Sequence, residues 1–293
     1  MSAVPSAPSL LASGVSRARR VRNDLAMALI WLAVLLAAVP LAFVVLYLVQ
    51  KGAGVVNWDF LTKDIPISSR LRGPGMGPAV MGTLLITGAA TAMAVPLGVL
   101  AAIYLNEYGK KRRVAGSIRF LSDVMAGVPS IVMGLFIYTV WVLRFGQTGF
   151  AGALALACLM LPIVIRSAET ALQLVPNDLR EASTALGART SRTILTVIVP
   201  AALPGLVSGA LLAIARAAGE TAPLLFTIGV VNASNPNLFR GTNTALSAQI
   251  FVNAQQPFES AVGRAWGAAL TLVVLVFVLT ALARVIARRF TLR

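Results

Sequence analysis

Two residues of opposite charge lie four positions apart in a stretch that is otherwise apolar. Arg216 and Glu220 are separated only by alanines and a glycine, and Thr221 follows directly. Residues four apart share one face of a helix, so the two side chains can pair. An arginine suits an oxyanion, because its planar guanidinium donates paired hydrogen bonds to oxygen atoms and stays protonated at any working pH. We take Arg216, Glu220 and Thr221 as candidate substrate-pathway residues.

The sequence leaves two questions about this pair open. Glu220 either competes with an anion for the guanidinium, which keeps the affinity low enough for release, or it forms a salt bridge that only holds helices in register. The depth of Arg216 in a membrane depends on where its helix begins. A start at Leu206 places Arg216 about 15 Å along the helix, near the midplane. A straight helix from Thr193 places it close to the external surface.

A second charged stretch, residues 175–193, lies between apolar runs and is typical of a segment that docks on another protein. Asp178 is placed to cap a short helix, and Glu181, three residues later, to reach back to the cap. Gly187 supplies a left-handed stop. Apolar residues recur at spacings of three and four from Leu172 to Leu186, and this face needs a partner to bury it. The candidate coupling residues are Asp178, Glu181, Ala182, Ser183, Leu186 and Gly187.

The composition places the chain in a bilayer. It is 58% hydrophobic and 12% charged, with a mean hydropathy of +0.84, which is far too apolar for a soluble domain of 293 residues. The net charge of +15 is clustered beside apolar runs, so the membrane explains the basicity and we expect no nucleic acid partner.

Several kinds of chemistry are excluded by residues that the sequence lacks. With one cysteine, Cys158, and no histidine, it has no intrachain disulfide, no Cys/His zinc pattern and no Ser/His/Asp triad. A Gly-x4-Gly-Lys-[Ser/Thr] phosphate loop is also missing, so ATP hydrolysis by that route is excluded. We therefore expect that the chain is not an enzyme and that it binds no metal or cofactor itself.

Apolar runs of about 20 residues predict membrane-spanning helices. Five runs qualify, and a sixth, 193–231, is too long for one span and is broken by prolines. We interpret it as an irregular start, bent between Pro200 and Gly205, followed by a helix over 206–231. The six predicted spans are 25–49, 79–105, 120–143, 150–165, 206–231 and 266–283.

Proline and small residues inside these runs mark candidate kinks and close helix packing, since small side chains let backbones touch where lipid offers no hydrophobic drive. Pro129 and Gly134 are expected to act in this way in the third run. The full set is Pro129, Ser130, Gly134, Pro200, Pro204 and Pro223.

The runs divide the chain into five segments, and the basic residues orient them. Seventeen of the 25 lysines and arginines fall on one side under six spans, so both termini and the loop at 175–193 are predicted to be cytoplasmic. At that side Glu107 is expected to be solvated, and Arg166 and Glu169 to reach the surface. The segments are a disordered basic tail (1–22), a first transmembrane helix (23–50), an external loop (51–78), a five-helix core (79–289, with a further external loop at about 232–263) and a short tail (290–293).

The loop at 175–193 closely resembles the EAA loop of bacterial ABC importer permeases, written EAA-x3-G-x9-I-x-L-P. Glu181-Ala182-Ser183, Gly187 and Val197-Ile198-Val199-Pro200 keep its spacing throughout. Ser183 replaces an alanine, Val197 an isoleucine and Val199 a leucine. The resemblance implies that this loop inserts into a groove on a cytoplasmic ATPase subunit.

A second resemblance narrows the family. Gly219-Glu220-Thr221-Ala222-Pro223-Leu224-Leu225, with Arg216 just before it, is similar to the permeases of phosphate-specific ABC importers, the PstA type. Stretches 101–108, 127–136 and 161–166 match as well, and the similarity covers 77–289. Residues 73–77 and the external loops depart from the family, so contacts with a binding protein are not carried over.

These resemblances imply the fold and the partners. The fold is an all-α polytopic membrane protein with six transmembrane helices, the type I ABC importer permease fold, and a cytoplasmic coupling helix. The implied function is translocation of inorganic phosphate as a multi-pass subunit of the bacterial cytoplasmic membrane. The implied partners are a second similar permease (PstC type), a cytoplasmic ATPase dimer (PstB type) that uses ATP and Mg, an external phosphate-binding protein (PstS type) and the lipid bilayer.

Other functional classes fit less well. An ion-coupled secondary carrier would normally show paired interrupted helices and an acid free to bind the ion, whereas Glu220 has Arg216 beside it. A permease for another oxyanion or a small solute remains an alternative within the ABC class. A regulatory role of the basic loops is compatible with transport.

Overall fold

The computed structural model of the chain describes residues 17–71, 73, 75–109 and 112–291, with the backbone alone for 286–291. All regular structure in this part is helical, as predicted. Five helices are long and apolar enough to span a membrane, and one bent pair makes a sixth candidate span. In chain order the helices are α1 (Arg17–Gly52), α2 (Trp58–Thr62), α3 (Gly77–Tyr108), α4 (Arg113–Gly127), α5 (Ser130–Phe145), α6 (Gly149–Gln173), α7 (Asn177–Ala185), α8 (Thr190–Gly219), α9 (Ala222–Thr227), α10 (Leu246–Ala254) and α11 (Glu259–Thr291).

The chain forms two units, 1–49 and 50–293, and the first contains most of α1. Helix α1 begins at Arg17, so the prediction that residues 17–22 belong to a disordered tail was wrong. Arginine is a good helix former, and its long stem lets the charged head stay in water while the backbone remains helical. The rest of the predicted tail, 1–16, lies outside the described residues. Trp31 and Phe43 are 66% and 68% exposed, as expected for side chains that face lipid.

The third predicted span, 120–143, is two helices. Helices α4 and α5 meet at an angle of 104°, much more than the expected kink. The break lies at Val128, whose backbone is extended, and Pro129, which precedes the first residue of α5. A residue before proline is pushed out of the helical region by a steric clash with the proline ring, so Val128 ends α4. Pro129 thus lies at a break between two helices, and the run is not one straight helix.

Helix α8 corrects the interpretation of the fifth span. It runs from Thr190 to Gly219 without the bend predicted between Pro200 and Gly205. A turn of π-helix, Ile194–Ile198, directly precedes the first of these prolines. We attribute the continuity to this wider turn, which leaves room for a ring that would otherwise strike the preceding carbonyl group. The helix also ends at Gly219 rather than at 231, because the chain breaks ahead of Pro223.

Helices α3, α6 and α8 surround the central core of the second unit. Small residues let them approach closely: a Cβ added to Gly98 of α3 would lie 2.6 Å from Val164 of α6, and one added to Gly209 of α8 would lie 2.2 Å from the Ser167 hydroxyl of α6. We call the end of this bundle where α3 and α6 begin the Asn243 end, and the opposite end the Gly187 end. The main buried residues of the core are Ile86, Ala90, Ala94, Ala153, Leu156, Met160, Val164, Ala213, Ala217, Leu224 and Ile228.

The two predicted external loops are more ordered than expected. The segment 51–78 contains α2, with Phe60 fully buried, and 232–263 contains α10, in which Leu246 and Gln249 are buried. The backbone of 243–245 packs directly on α3, because a Cβ at Gly82 would lie only 1.9 Å from the Thr244 carbonyl oxygen. The polar residues of these segments therefore do not indicate solvated loops throughout, since many of their polar groups pair with one another.

Candidate functional site

Glu220 and Thr221 form a break between α8 and α9. The backbone of Glu220 is extended, with φ −69° and ψ 128°, and its N–H donates to the Ala217 carbonyl at 3.1 Å. The Glu220 carbonyl accepts a hydrogen bond from the Ser247 hydroxyl of α10 at 2.9 Å. The short helix α9 then begins at Ala222, with Pro223 in its first turn. The break is thus held in place from α10, and its carbonyl group is satisfied.

Arg216 and Glu220 are brought together at this break. The distance between Arg216 Nε and Glu220 Oε1 is 3.6 Å, which is an ion pair but too long for a hydrogen bond. The Arg216 side chain is 67% exposed and that of Glu220 is 17% exposed. The geometry therefore leaves guanidinium donors available on the surface of the isolated chain, beside a carboxylate that holds them only weakly.

Arg216 lies within the helix bundle, nearer its Asn243 end than its Gly187 end. Its neighbour Ala217 belongs to the same buried core as Ile86 of α3 and Leu156 of α6. Ile86 and Leu156 are nine and seven residues, or roughly 10–14 Å, from the starts of their helices. Arg216 reaches this level without the predicted bend, because α8 begins beyond the Gly187 end and packs there against Val175. A charge at this height is costly in lipid, so it faces a partner or an aqueous path.

Two of the kink and packing residues of the sequence analysis, Gly134 and Pro223, meet beside this break. Gly134 of α5 is buried, and a Cβ added there would lie 2.6 Å from the Cα of Pro223. The Pro223 carbonyl accepts a hydrogen bond from Thr227 at 2.9 Å. Gly134 therefore does permit close approach, as predicted, and the contact joins α5 to the start of α9.

The coupling segment forms the exposed helix α7. None of its residues is buried, and the apolar side chains of Leu179 and Leu186 are 42% and 89% exposed. These two side chains have no cover within the described part of the chain, as expected, whereas Leu172 and Val175, which the sequence placed on the same face, are buried against the bundle. The Leu179 and Leu186 side chains are available for another protein.

The two ends of α7 were predicted with different success. The helix starts at Asn177 after Pro176, and no side chain caps it, so the predicted cap by Asp178 was wrong. Asp178 instead lies in the first turn, since proline pre-sets the backbone at a helix start. At the other end Gly187 has φ +80°, and the Gly187 and Ala188 N–H groups donate to Thr184 and Ser183 carbonyls. This is the left-handed stop that was predicted.

Buried ion pairs at the Gly187 end were missed from sequence. Glu169, expected at the surface, is 7% exposed at its side chain and pairs with Arg119 of α4 at 2.8 Å. Glu107, expected to be solvated, is also 7% exposed and pairs with Arg180 of α7 at 3.0 Å. The partners are 50 and 73 residues apart in the chain, so no local pattern signals them.

Among the described residues, no group of three or more His, Cys, Asp or Glu side chains could hold a metal ion.

Comparisons with known proteins agree with this architecture. The profile of the family described as "binding-protein-dependent transport system inner membrane component" matches residues 94–292. The phosphate transport system permease protein PstA 1 of Mycobacterium tuberculosis is 41% identical over 267 residues, covering 88% of this chain and 86% of the relative. PstA of Yersinia pestis is 40% identical over 274 residues, covering 92% and 90%.

Solved structures support the fold alone. A crystal structure of a bacterial ABC transporter involved in the import of the acidic polysaccharide alginate superimposes with a TM-score of 0.62. It covers 93% of this chain and 99% of that one at 15% sequence identity. The fold is therefore that of an ABC importer permease.

Proposed function

Because the chain belongs to the family of binding-protein-dependent transport system inner membrane components, and within it to the PstA phosphate permeases, we propose that it is the permease subunit of an ATP-driven importer. The importer moves inorganic phosphate, delivered by an external binding protein, into the cytoplasm. The protein is a multi-pass subunit of the inner membrane. The observation that carries the proposal is the similarity to PstA proteins over nearly the whole length of both chains.

Arg216 is the residue that we propose contacts the phosphate in transit. Its guanidinium matches the oxygen geometry of phosphate and is exposed on the surface of α8. Glu220 competes for the same donors from 3.6 Å away, so the anion is held loosely and can leave. Thr221 lies at the helix break, directly after Glu220.

A second, similar permease covers the face that carries Arg216. Leu212, one turn earlier on α8, is 65% exposed at the same side, and Ser208 is exposed one turn before that. An exposed stripe that carries a charge within the bundle is unsuited to lipid. A pathway formed between two permeases removes the Arg216 side chain from lipid and gives phosphate a route across the membrane.

An ATPase dimer drives the cycle through α7. The exposed Leu179 and Leu186 side chains provide an apolar surface that fits a groove on that partner. ATP and Mg²⁺ are used by the ATPase, and this chain binds neither. Movement of α7 then opens the bundle alternately to the two sides of the membrane.

Transport by the reconstituted complex tests the proposal. Liposomes that hold both permeases and the ATPase, supplied with the binding protein, should take up phosphate only when ATP is present, and sulfate at least about tenfold more slowly, as expected where a site is built for one ligand. Equal uptake of sulfate would favour the alternative of another oxyanion. Phosphate uptake without the ATPase would contradict an ATP-driven importer and favour a secondary carrier.

The orientation of the bundle gives a separate prediction. With the Gly187 end in the cytoplasm, reporter fusions placed after Arg113 and after Arg192 should both be active only as cytoplasmic reporters, because the basic residues cluster at this end. A fusion after Asn243 should give the external signal. An external signal at Arg113 or Arg192 would contradict the six-span arrangement.

A further inference from the structure

Arg180 joins the coupling helix to two other helices. Its Nη1 donates to the Val175 carbonyl at 2.7 Å, and its Nη2 donates to the Leu172 carbonyl at 3.0 Å, both at the Gly187 end of α6. The same Nη2 donates to Glu107 Oε1 of α3 at 3.0 Å. One guanidinium therefore binds the carbonyl groups at the end of α6 and a carboxylate at the end of α3.

This connection is shielded from water, in contrast to the rest of α7. The Arg180 side chain is 16% exposed and the Glu107 side chain is 7% exposed. Glu107 Oε1 also accepts from the Asn106 amide at 2.6 Å, so the carboxylate is held from both sides. A shielded, charge-assisted contact is stiffer than an exposed one, because leaving either charge unpaired is costly.

Two residues of α7 are partly buried against the described part of the bundle. Within Asn177–Ala185, Arg180 and Ser183 are the partly buried residues, and the others are exposed. Ser183 shares a hydrogen bond of 2.9 Å with Thr193 of α8. The Ser183 contact is a single neutral bond to one helix, whereas Arg180 makes charge-assisted bonds to α3 and α6.

We propose that Arg180, with Glu107, is the positioning residue that transmits movement of the coupling helix to α3 and α6. Helices α3 and α6 form the core beside Arg216, so a force on α7 reaches the pathway through this guanidinium. Without it, α7 turns about the Pro176 linker, and an ATPase moves the helix without moving the bundle. The inference rests on the proposed function, because it assigns a role within the same transport cycle.

Arg180→Gln in the reconstituted complex tests this role. We expect the complex to assemble and to hydrolyse ATP, while the ATP hydrolysed per phosphate imported rises at least about fivefold, the lower range for coupling between two sites. Glu107→Gln should give the same change, and the double variant should be no worse than Arg180→Gln alone, because both residues act in one connection. An unchanged ratio in Arg180→Gln would overturn the proposal.

A distance measurement reports positioning without reference to any substrate. Spin labels at Thr184→Cys on α7 and Thr170→Cys on α6, both exposed positions, are placed in a Cys158→Ser background. Arg180→Gln should broaden the distance distribution between the labels, and an unchanged width would contradict a positioning role. This readout separates failure of the inference from failure of phosphate as the substrate.

Two further variants guard against simple misfolding. Arg113→Gln removes an exposed arginine at the same end and should leave both the ratio and the distance unchanged. Arg180→Lys keeps the charge near Glu107 but loses the forked geometry. If Arg180→Gln fails to assemble, Arg180→Lys decides: an assembled complex with a raised ATP-to-phosphate ratio supports the proposal, and an assembled complex with the wild-type ratio overturns it.

Discussion

Arg216→Gln is expected to lower ATP-driven phosphate uptake by at least about a hundredfold while the complex still assembles. Each charge-assisted hydrogen bond is worth about 1.5–3 kcal/mol, so losing two of them in the pathway removes a factor of roughly 10² or more. The measurement is uptake into liposomes together with co-purification of the subunits. Arg216→Lys should retain part of the activity, because the charge remains but the paired donors do not.

The control for this variant is Arg284→Gln, which removes an exposed arginine from α11 and should not change uptake. Two outcomes would contradict the role of Arg216 in the pathway. If the variant transports phosphate at the normal rate, the guanidinium does not contact the substrate. If the subunits no longer co-purify, the pair with Glu220 serves to hold helices together, as in the alternative that the sequence left open.

Gly187→Val is expected to uncouple ATP hydrolysis from uptake, with import reduced at least about tenfold and ATPase activity retained. Gly187 has φ +80°, and no atom lies within 4 Å of an added Cβ, so the effect comes from the backbone alone. A left-handed conformation costs an ordinary residue about 1–2 kcal/mol, and a β-branched residue more. The stop of α7 is then lost, and Leu186 is no longer held in its place. The measurement is ATP hydrolysed per phosphate imported.

Gly187→Asn is the matched comparison, because asparagine tolerates the left-handed conformation better than other residues. It should keep most of the coupling. Gly116→Val controls for added bulk at another open position, since an added Cβ at Gly116 also meets nothing within 4 Å. Normal coupling in Gly187→Val would count against the docking role of this segment.

Hydropathy predicted most of the spans, because a membrane helix must satisfy its own backbone and so appears as a long apolar run. The run 79–105 corresponds to Gly77–Tyr108, and 150–165 lies within Gly149–Gln173. The stop at Gly187 was predictable for a similar reason, since the left-handed conformation selects glycine locally.

The prolines of the chain were harder to interpret. Pro129 produces a bend of 104°, whereas Pro200 and Pro204 lie inside a continuous helix. The difference depends on the wider turn ahead of Pro200 and on packing against neighbouring helices. Neither is visible in a proline's own sequence neighbourhood.

The pairing of Arg216 with Glu220 was predicted from the sequence, but the buried ion pairs elsewhere in the bundle were not. Four-residue spacing was enough to pair Arg216 with Glu220. The burial of Glu107 and Glu169 required partners on distant helices, and a single sequence does not show which arginine each carboxylate will meet.

The exposed guanidinium of Arg216 has a consequence for the biogenesis of the subunit. A chain inserted alone presents this charge to hydrocarbon at a cost of about 2.5–3.5 kcal/mol on insertion scales, a sizeable part of the stability of a typical fold. The Arg216 charge therefore destabilises the unassembled subunit and favours rapid association. Because of this one side chain, we expect the subunits to be synthesised in matched amounts or the unassembled copies to be degraded.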